Sequence, residues 1–333
     1  MEFKGAQVFD FKTIRGVKPM KKVLSLLPMA FLMAPGWETG SFCASAAEEQ
    51  PGKKAVLVVS FGTTYTDTRK VTIEAVENKI RAAFPDYELR RAFTSRIVIK
   101  RLADREGLKV DTETQALERL KADGYTDVII QPLHIEAGEE YEKLRKAVAN
   151  YDQAFAKIAL GRPLLYYTGQ EGEKSDDYGI VIRALQKQLP QPGPQDAVAL
   201  MGHGGVNPAN TAYAALQLKL EDAGLKNVFV FTVEGYPAVE NLMAKLKKNK
   251  IRTVTLMPFM LTAGDHVHND MAGNEADSFK SRLLKAGFQV KTYIHGLGEN
   301  AGIQDIYVQH VKDAMENKYQ ERGKDRPPIP DSK

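Results

Sequence analysis

Three side chains with chemical reach stand where apolar runs end: His203 in "MGHGGV", Glu234 in "VEGYP" and His266 in "TAGDHVHNDMAG". The chain has only 6 histidines in 333 residues, so the pair His266 and His268 in that last segment raises a question of purpose. At the exit of a buried strand such a cluster can grip a metal, move a proton or start a helix. Two imidazoles and one carboxylate make a donor set suited to a borderline divalent ion such as cobalt, iron, nickel or zinc. The intervals of 31 and 32 residues between the three side chains are those of a strand plus a helix rather than of a local metal motif. The set therefore exists only if the fold assembles it. Glycines around His203 let a flat ligand or another backbone approach closely.

The other histidines read differently. His268 lies two positions after His266 and, in a helix, points away from it; a solvated or helix-starting role is expected, with Asp265 or Asn269 as caps. His134 in "QPLHIEAGEEY" adjoins an apolar run and is expected to be packed or to line a site. His295 and His310 are read as structural. The phosphate loop G-x-x-x-x-G-K-[ST] and the dinucleotide fingerprint G-x-G-x-x-G are both absent, so no nucleotide cofactor is implied. "SFG" and "GHG" fail as G-x-S-x-G nucleophile elbows.

The elements that must position these residues follow a βαβα pattern, in which short β-branched runs alternate with amphipathic stretches. Strands are predicted from Ala55 to Ser60, Leu89 to Thr94, Asp127 to Pro132 and Leu164 to Tyr166. A second set is predicted from Ala197 to Met201, Val228 to Val233, Thr253 to Pro258 and Gln289 to Tyr293. Helical spacing occupies Arg69 to Phe84, Thr112 to Asp123, Asp177 to Gln188 and Asn210 to Ala223. The halves also repeat. "AVLVVSFG" from Ala55 aligns with "AVALMGHG" from Ala197, and "VIIQPLHIEAGEE" from Val128 aligns with "VTLMPFMLTAGDH" from Val254. The second alignment places Glu140 on His266. The fold class expected is α/β, with two similar domains (55–190 and 195–322), each a four-stranded parallel sheet flanked by helices, facing across a cleft. Ligands of open parallel sheets bind beyond the carboxyl ends of strands, which puts His203, Glu234 and His266 on one rim and Glu140 at the equivalent place opposite.

With 43% hydrophobic and 26% charged residues, the composition is globular and argues against disorder. The formal charge is +4, and residues 1–46 supply +3 of it through six basic and three acidic side chains. The rest is nearly neutral and offers no basic face for nucleic acid. Lys21 and Lys22 precede the apolar run from Val23 to Met33, and Ala44, Ser45 and Ala46 supply an A-x-A-type cleavage site. Residues 1–46 are therefore expected to be a cleaved signal peptide of an exported, periplasmic protein without a stable membrane anchor, since the apolar run is too short to span a bilayer. Met1 or Met20 could begin it. Cleavage would remove Cys43, leaving no thiolate ligand or nucleophile. Residues 47–54 read as a linker and 323–333 as a disordered tail.

Taken in order, "VLVVSFGTTYTDTR", "RAFTS", "LHIEAGEEYEKL", "GHGG", "VEGYP", "MPFMLTAGDHVHNDMAG" and "GLGEN" resemble the anaerobic sirohydrochlorin cobaltochelatases of the class II chelatase superfamily, whose domains are ferrochelatase-like. The resemblance runs from about Lys53 to about Met315. It implies ATP-independent insertion of Co2+, as substrate metal, into the tetrapyrrole sirohydrochlorin within the interdomain cleft. It also implies cobalt ligands at His203, Glu234 and His266 and an entrance-side glutamate at Glu140. An imidazole, with an ordinary pKa of about 6.5, can accept a pyrrole proton near neutrality; that role falls first to His203, with Glu140 guiding metal or proton traffic. A homo-oligomer is expected. The rival readings are insertion of Fe2+ or Ni2+, and an exported carrier or sensor of haem or metal built on the same fold.

Overall fold

The computed structural model describes residues 52–170 and 174–318; the expected signal segment 1–46 and the tail 323–333 lie outside them. The first sheet contains β1 (Lys53–Ser60), β2 (Glu88–Phe93), β3 (Tyr125–Pro132) and β4 (Lys157–Leu160), so the last two linker residues already belong to β1. A short antiparallel hairpin, β5 (Thr168–Gln170) with β6 (Lys174–Asp176), follows. The second sheet contains β7 (Asp196–Gly204), β8 (Val228–Glu234), β9 (Thr253–Pro258) and β10 (Gln289–Thr292). Helices run in chain order as α1 (Thr66–Val71), α2 (Ile73–Ala83), α3 (Arg96–Glu106), α4 (Glu113–Ala122), α5 (Glu139–Ala149), α6 (Asp177–Gln186), α7 (Thr211–Asp222), α8 (Val239–Lys248), α9 (Phe279–Lys285) and α10 (Ala301–Met315).

Both four-stranded sheets are parallel throughout, and both have the same order. The sequences β2-β1-β3-β4 and β8-β7-β9-β10 place the second strand, the first, the third and the fourth side by side. Val56 pairs with Leu89 and Ile129, and Leu200 pairs with Val230 and Met257. Central strands of parallel sheets are covered on both faces and read as continuous apolar runs. Accordingly Ala55, Leu57 and Val59 pack with α4 and α5 on the outer face, while Val56 and Val58 turn inward. In the second sheet Ala197, Ala199 and Met201 pack outward with α8 and α9, and Val198 and Leu200 turn inward. The inward faces share one core with α2, α3, α6, α7 and α10.

Some expectations need correction. The segment from Arg69 to Phe84 is two helices, because Thr72 leaves helical geometry and its Oγ1 donates to the carbonyl of Thr68 at 2.5 Å, a side-chain competitor for the backbone bond. The segment from Leu164 to Tyr166 is not the fourth strand. That strand is Lys157–Leu160, and Pro163, lacking an N–H, cannot extend its ladder. Leu164 and Leu165 instead donate to the carbonyls of His134 and Ile135 at 3.0 and 2.7 Å, fixing the chain beyond β3. The hairpin of β5 and β6 carried no signal that the sequence reading used.

The loop at 190–195 separates the sheets, yet α10 crosses back to pack on α2, β3 and β4. A buried ionic cluster secures it. Arg162 donates from Nε and Nη2 to Asp177 at 3.0 and 3.1 Å and from Nη1 to Asp313 at 2.8 Å, while His310 Nδ1 donates to the Arg162 carbonyl at 3.1 Å. His310 is thus structural, as expected. Burial alone would raise the Asp177 carboxyl, but His310 and Arg162 overcome it and hold it at about 2. Its stabilisation is present above the unfolded carboxylate value of about 3.9 and is lost as pH falls from there through about 2. We expect Asp177→Asn, which leaves the guanidinium short of charge, to cost about 3–5 kcal/mol at neutral pH. Urea titrations of the two proteins should converge as pH drops from about 4 toward 2.

Candidate active site

In each sheet the strand order reverses between the first and third strands, so their following loops leave in opposite directions and open a crevice at the carboxyl edge. A cleft of about 450 Å³ occupies this position, lined from 61–65 after β1, 133–141 after β3, 203–210 after β7 and 260–266 after β9, with Glu234 after β8. His203, His266, Glu234 and Glu140 all line it.

The imidazoles of His203 and His266 meet with ring centroids 4.8 Å apart and planes at 85°. His203 Nδ1 lies 2.9 Å from the carbonyl of Gly204. A carbonyl only accepts, so this nitrogen carries the hydrogen and Nε2 keeps its lone pair. His266 Nδ1 lies 2.6 Å from Asp270 Oδ2, one turn further on, which sets the same tautomer and holds the ring's orientation. An exposed imidazole at His203 and a half-exposed one at His266, each with Nε2 available, are suited to share a divalent ion. Glu234 stands at the exposed end of β8, paired in register with Gly204. Among the described residues, no three histidine, cysteine, aspartate or glutamate side chains converge at metal-binding spacing. The structure thus brings the two imidazoles together and leaves Glu234 along the wall beside them.

Local backbone explains how His203 arrives there. Gly204 has φ +76°, and a β-carbon on it would overlap the carbonyl oxygen of Glu234, so glycine is required where β7 ends against β8. Asn210 then ties the two loops: its Oδ1 accepts from the Gly205 N–H at 3.2 Å and its Nδ2 donates to the Tyr236 carbonyl at 2.6 Å.

Across the cleft, Glu140 sits in the first turn of α5, 3.3 Å from Lys143 Nζ. His134 lines the site, with ring nitrogens closed to solvent and without a protein partner; burial pushes it down to about 4, opposed by Glu140. Burial also raises the Glu136 carboxyl, whose Oε2 has no partner either. His268 is outside the imidazole pair. Its ring stacks on Tyr65 at 5.1 Å, and Tyr65 donates to Asp265 at 2.9 Å. Asp265 is engaged there instead of capping the short π turn Val267–Met271, which has no side-chain cap from Asn269 either. His295 Nδ1 pairs with Glu299 at 2.7 Å. Sequence reasoning missed Glu136, Asn210 and Asp270. Only Asp270 had a signal, its i,i+4 spacing from His266.

Residues 54–316 match the cobalt chelatase (CbiK) family. The chain belongs to that family. It is 42% identical over 263 residues to the sirohydrochlorin cobaltochelatase of Salmonella typhimurium, a match covering 79% of this chain and 97% of that one. It is 32% identical over 266 residues to the sirohydrochlorin cobaltochelatase CbiKC of Nitratidesulfovibrio vulgaris, covering 79% and 91%. Among solved structures, SirB from Bacillus subtilis with Fe3+ shares the fold, with a TM-score of 0.54 at 16% identity over 80% of this chain and 98% of that one. The family match spans both sheets and every loop of the cleft.

Because Asp270 alone fixes the tautomer of His266, Asp270→Asn should weaken Co2+ binding about 10–100-fold. Titration calorimetry with Co2+ measures this directly, and melting curves should barely move because Asp270 is nearly half exposed.

Proposed function

We propose that this chain is a metal chelatase that inserts Co2+ into sirohydrochlorin without ATP, the activity named for its relatives. The observation that carries this reading is the facing pair His203 and His266, each with Nε2 available, at the switch-point cleft common to both sheets. In this reading the two imidazoles receive the ion and Glu234 adds a carboxylate from the same wall. A planar macrocycle enters between the walls, and its pyrrole nitrogens displace the protein ligands. A small set of exchangeable donors suits an ion that must be released; a closed four-ligand site would retain it. Carboxylates at Glu136, Glu139, Glu140, Glu234 and Asp265 line the cleft; Lys143 pairs with Glu139 and Glu140 and Arg101 with Asp265, which leaves Glu136 and Glu234 as the carboxylates that draw a dication inward.

Spectral assays of sirohydrochlorin with Co2+, Fe2+ and Ni2+ in parallel test the activity and the metal, since affinity order alone does not choose the ion. Many equivalents of product per site are expected with Co2+, whereas a carrier stops at about one. His203→Ala and His266→Ala should each lower insertion by more than about 100-fold; full activity in both sinks the assignment.

Export belongs to the same proposal, with 1–46 read as a signal removed from a periplasmic protein. N-terminal sequencing of the processed protein should begin near Ala47, and a start at Met1 or Met20 would refute it.

A further inference from the structure

Insertion releases two pyrrole protons, and the two imidazoles that would hold the ion have no place to put them. His203 and His266 each commit Nδ1–H, to Gly204 and to Asp270. An imidazole holding an ion through its remaining nitrogen has no lone pair left. The opposite wall is different. Glu136 lines the same cleft, and its Oε2 is closed to bulk water with no protein donor. Gly138 leaves the space its carboxylate occupies, since a β-carbon there would overlap both oxygens. The main chain that carries Glu136 is pinned by the bonds from Leu164 and Leu165 and by a bridge between Glu136 and Leu165. A buried acceptor left unpartnered on a fixed backbone costs stability, and a ligand N–H is the donor that would repay it.

Resting on the chelatase reading above, we propose that Glu136 accepts the pyrrole protons from the wall opposite the metal-bearing imidazoles. Each N–H bond breaks with its electron pair kept on nitrogen, where it becomes the bond to cobalt, and the proton adds to a carboxylate oxygen to give the neutral acid. Passing that proton to water at the open side of the cleft restores the carboxylate for the second. Cobalt stays divalent throughout, so no oxidant or reductant takes part. Burial lifts the Glu136 carboxyl above the ordinary range, against the Gly138 backbone N–H, which suits an acceptor working near neutrality. The ionisable groups around it are His134 and Glu140 on its own wall, Tyr213 of α7 and Tyr178 of α6. Tyr213 is pushed up by burial and then by Glu136, and Tyr178 is pushed up to about 12 by burial, Asp177 and Glu136. No cationic side chain lines the cleft to hold the carboxylate charged.

The test follows Co2+ insertion into sirohydrochlorin by wild type, Glu136→Gln and Glu136→Asp across pH, with Co2+ affinity measured by calorimetry on the same preparations. Glu136→Gln should lower kcat about 10²–10⁴-fold and remove the acid limb of its pH profile, while Co2+ affinity stays within about twofold. Glu136→Asp, which keeps the carboxyl, should recover part of the rate. If Glu136→Gln keeps kcat within about threefold and the acid limb intact, Glu136 is not the acceptor and the chelatase reading stands. Equal losses of kcat and Co2+ affinity in Glu136→Gln would mark a structural role and also overturn the inference. A wild type without turnover overturns the reading and the inference together.

Discussion

Every strand within each four-stranded sheet points the same way, so side chains that the sheets cannot bury are delivered to one edge. The shared core between the inward faces of β1 and β7 holds the two lobes to each other, and the reversal of strand order in each sheet opens the cleft where their loops meet. The geometry of His203 and His266 follows from that arrangement. Neither residue is near the other in sequence, and no local motif links them. Their 4.8 Å approach is set by the register of β7 against β9, in which Met201 pairs with Pro258, and by a glycine that lets β7 end flush against β8. A shift of one residue in that register would send the strand's side chains to the other face and separate the imidazoles.

Carboxylates serve different ends in the cleft and in the core. Of the cleft's lining carboxylates, Glu139 and Glu140 pair with Lys143 and Asp265 with Arg101 at its rim, whereas in the buried cluster at α10 each carboxylate is matched by Arg162. The same residue types therefore serve two ends. In the cluster, the pairing drives the Asp177 carboxyl down and locks α10 onto the first sheet. At Glu136, burial without a cationic partner drives the carboxyl up, leaving it able to exchange a proton. Perturbation in opposite directions separates a structural carboxylate from a reactive one.

Much of this was legible in the sequence because the controlling signals are periodic. Apolar runs such as "AVLVV" and "AVALM" announce doubly covered strands, and the internal repeat announces two sheets of one topology; six of the eight strands of the two main sheets fall at or within two residues of their expected places, and β7 runs three residues past its expected end, to Gly204. The failure at Leu164 to Tyr166 has a physical cause. That segment is apolar and buried, and it bonds to the chain beyond β3, but Pro163 prevents it from continuing the ladder of β4. His203 and His266 were legible because strand exits carry them. Glu136 was not, since a glutamate in "LHIEAGEE" reads as a solvated loop residue until the walls around it are known. Its character comes from burial without a side-chain partner, and the absence of such a partner leaves no mark in a sequence.

The duplication also accounts for a division of labour between the walls. Superposing "VIIQPLHIEAGEE" on "VTLMPFMLTAGDH" puts Glu140 where the other half has His266, and Glu136 where it has Thr262. One copy of the strand exit thus presents an imidazole whose Nε2 keeps its lone pair, and the other presents carboxyl groups. A site that used the imidazoles for both tasks would have to release the ion before taking the proton, or take the proton and lose its grip on the ion. Placing the two tasks on facing walls removes that conflict, because a planar ring between them offers one face to the metal and the other to the acceptor. The separation is a consequence of the fold: the loops after two copies of one switch point line a single cleft, and each copy is free to carry different donors.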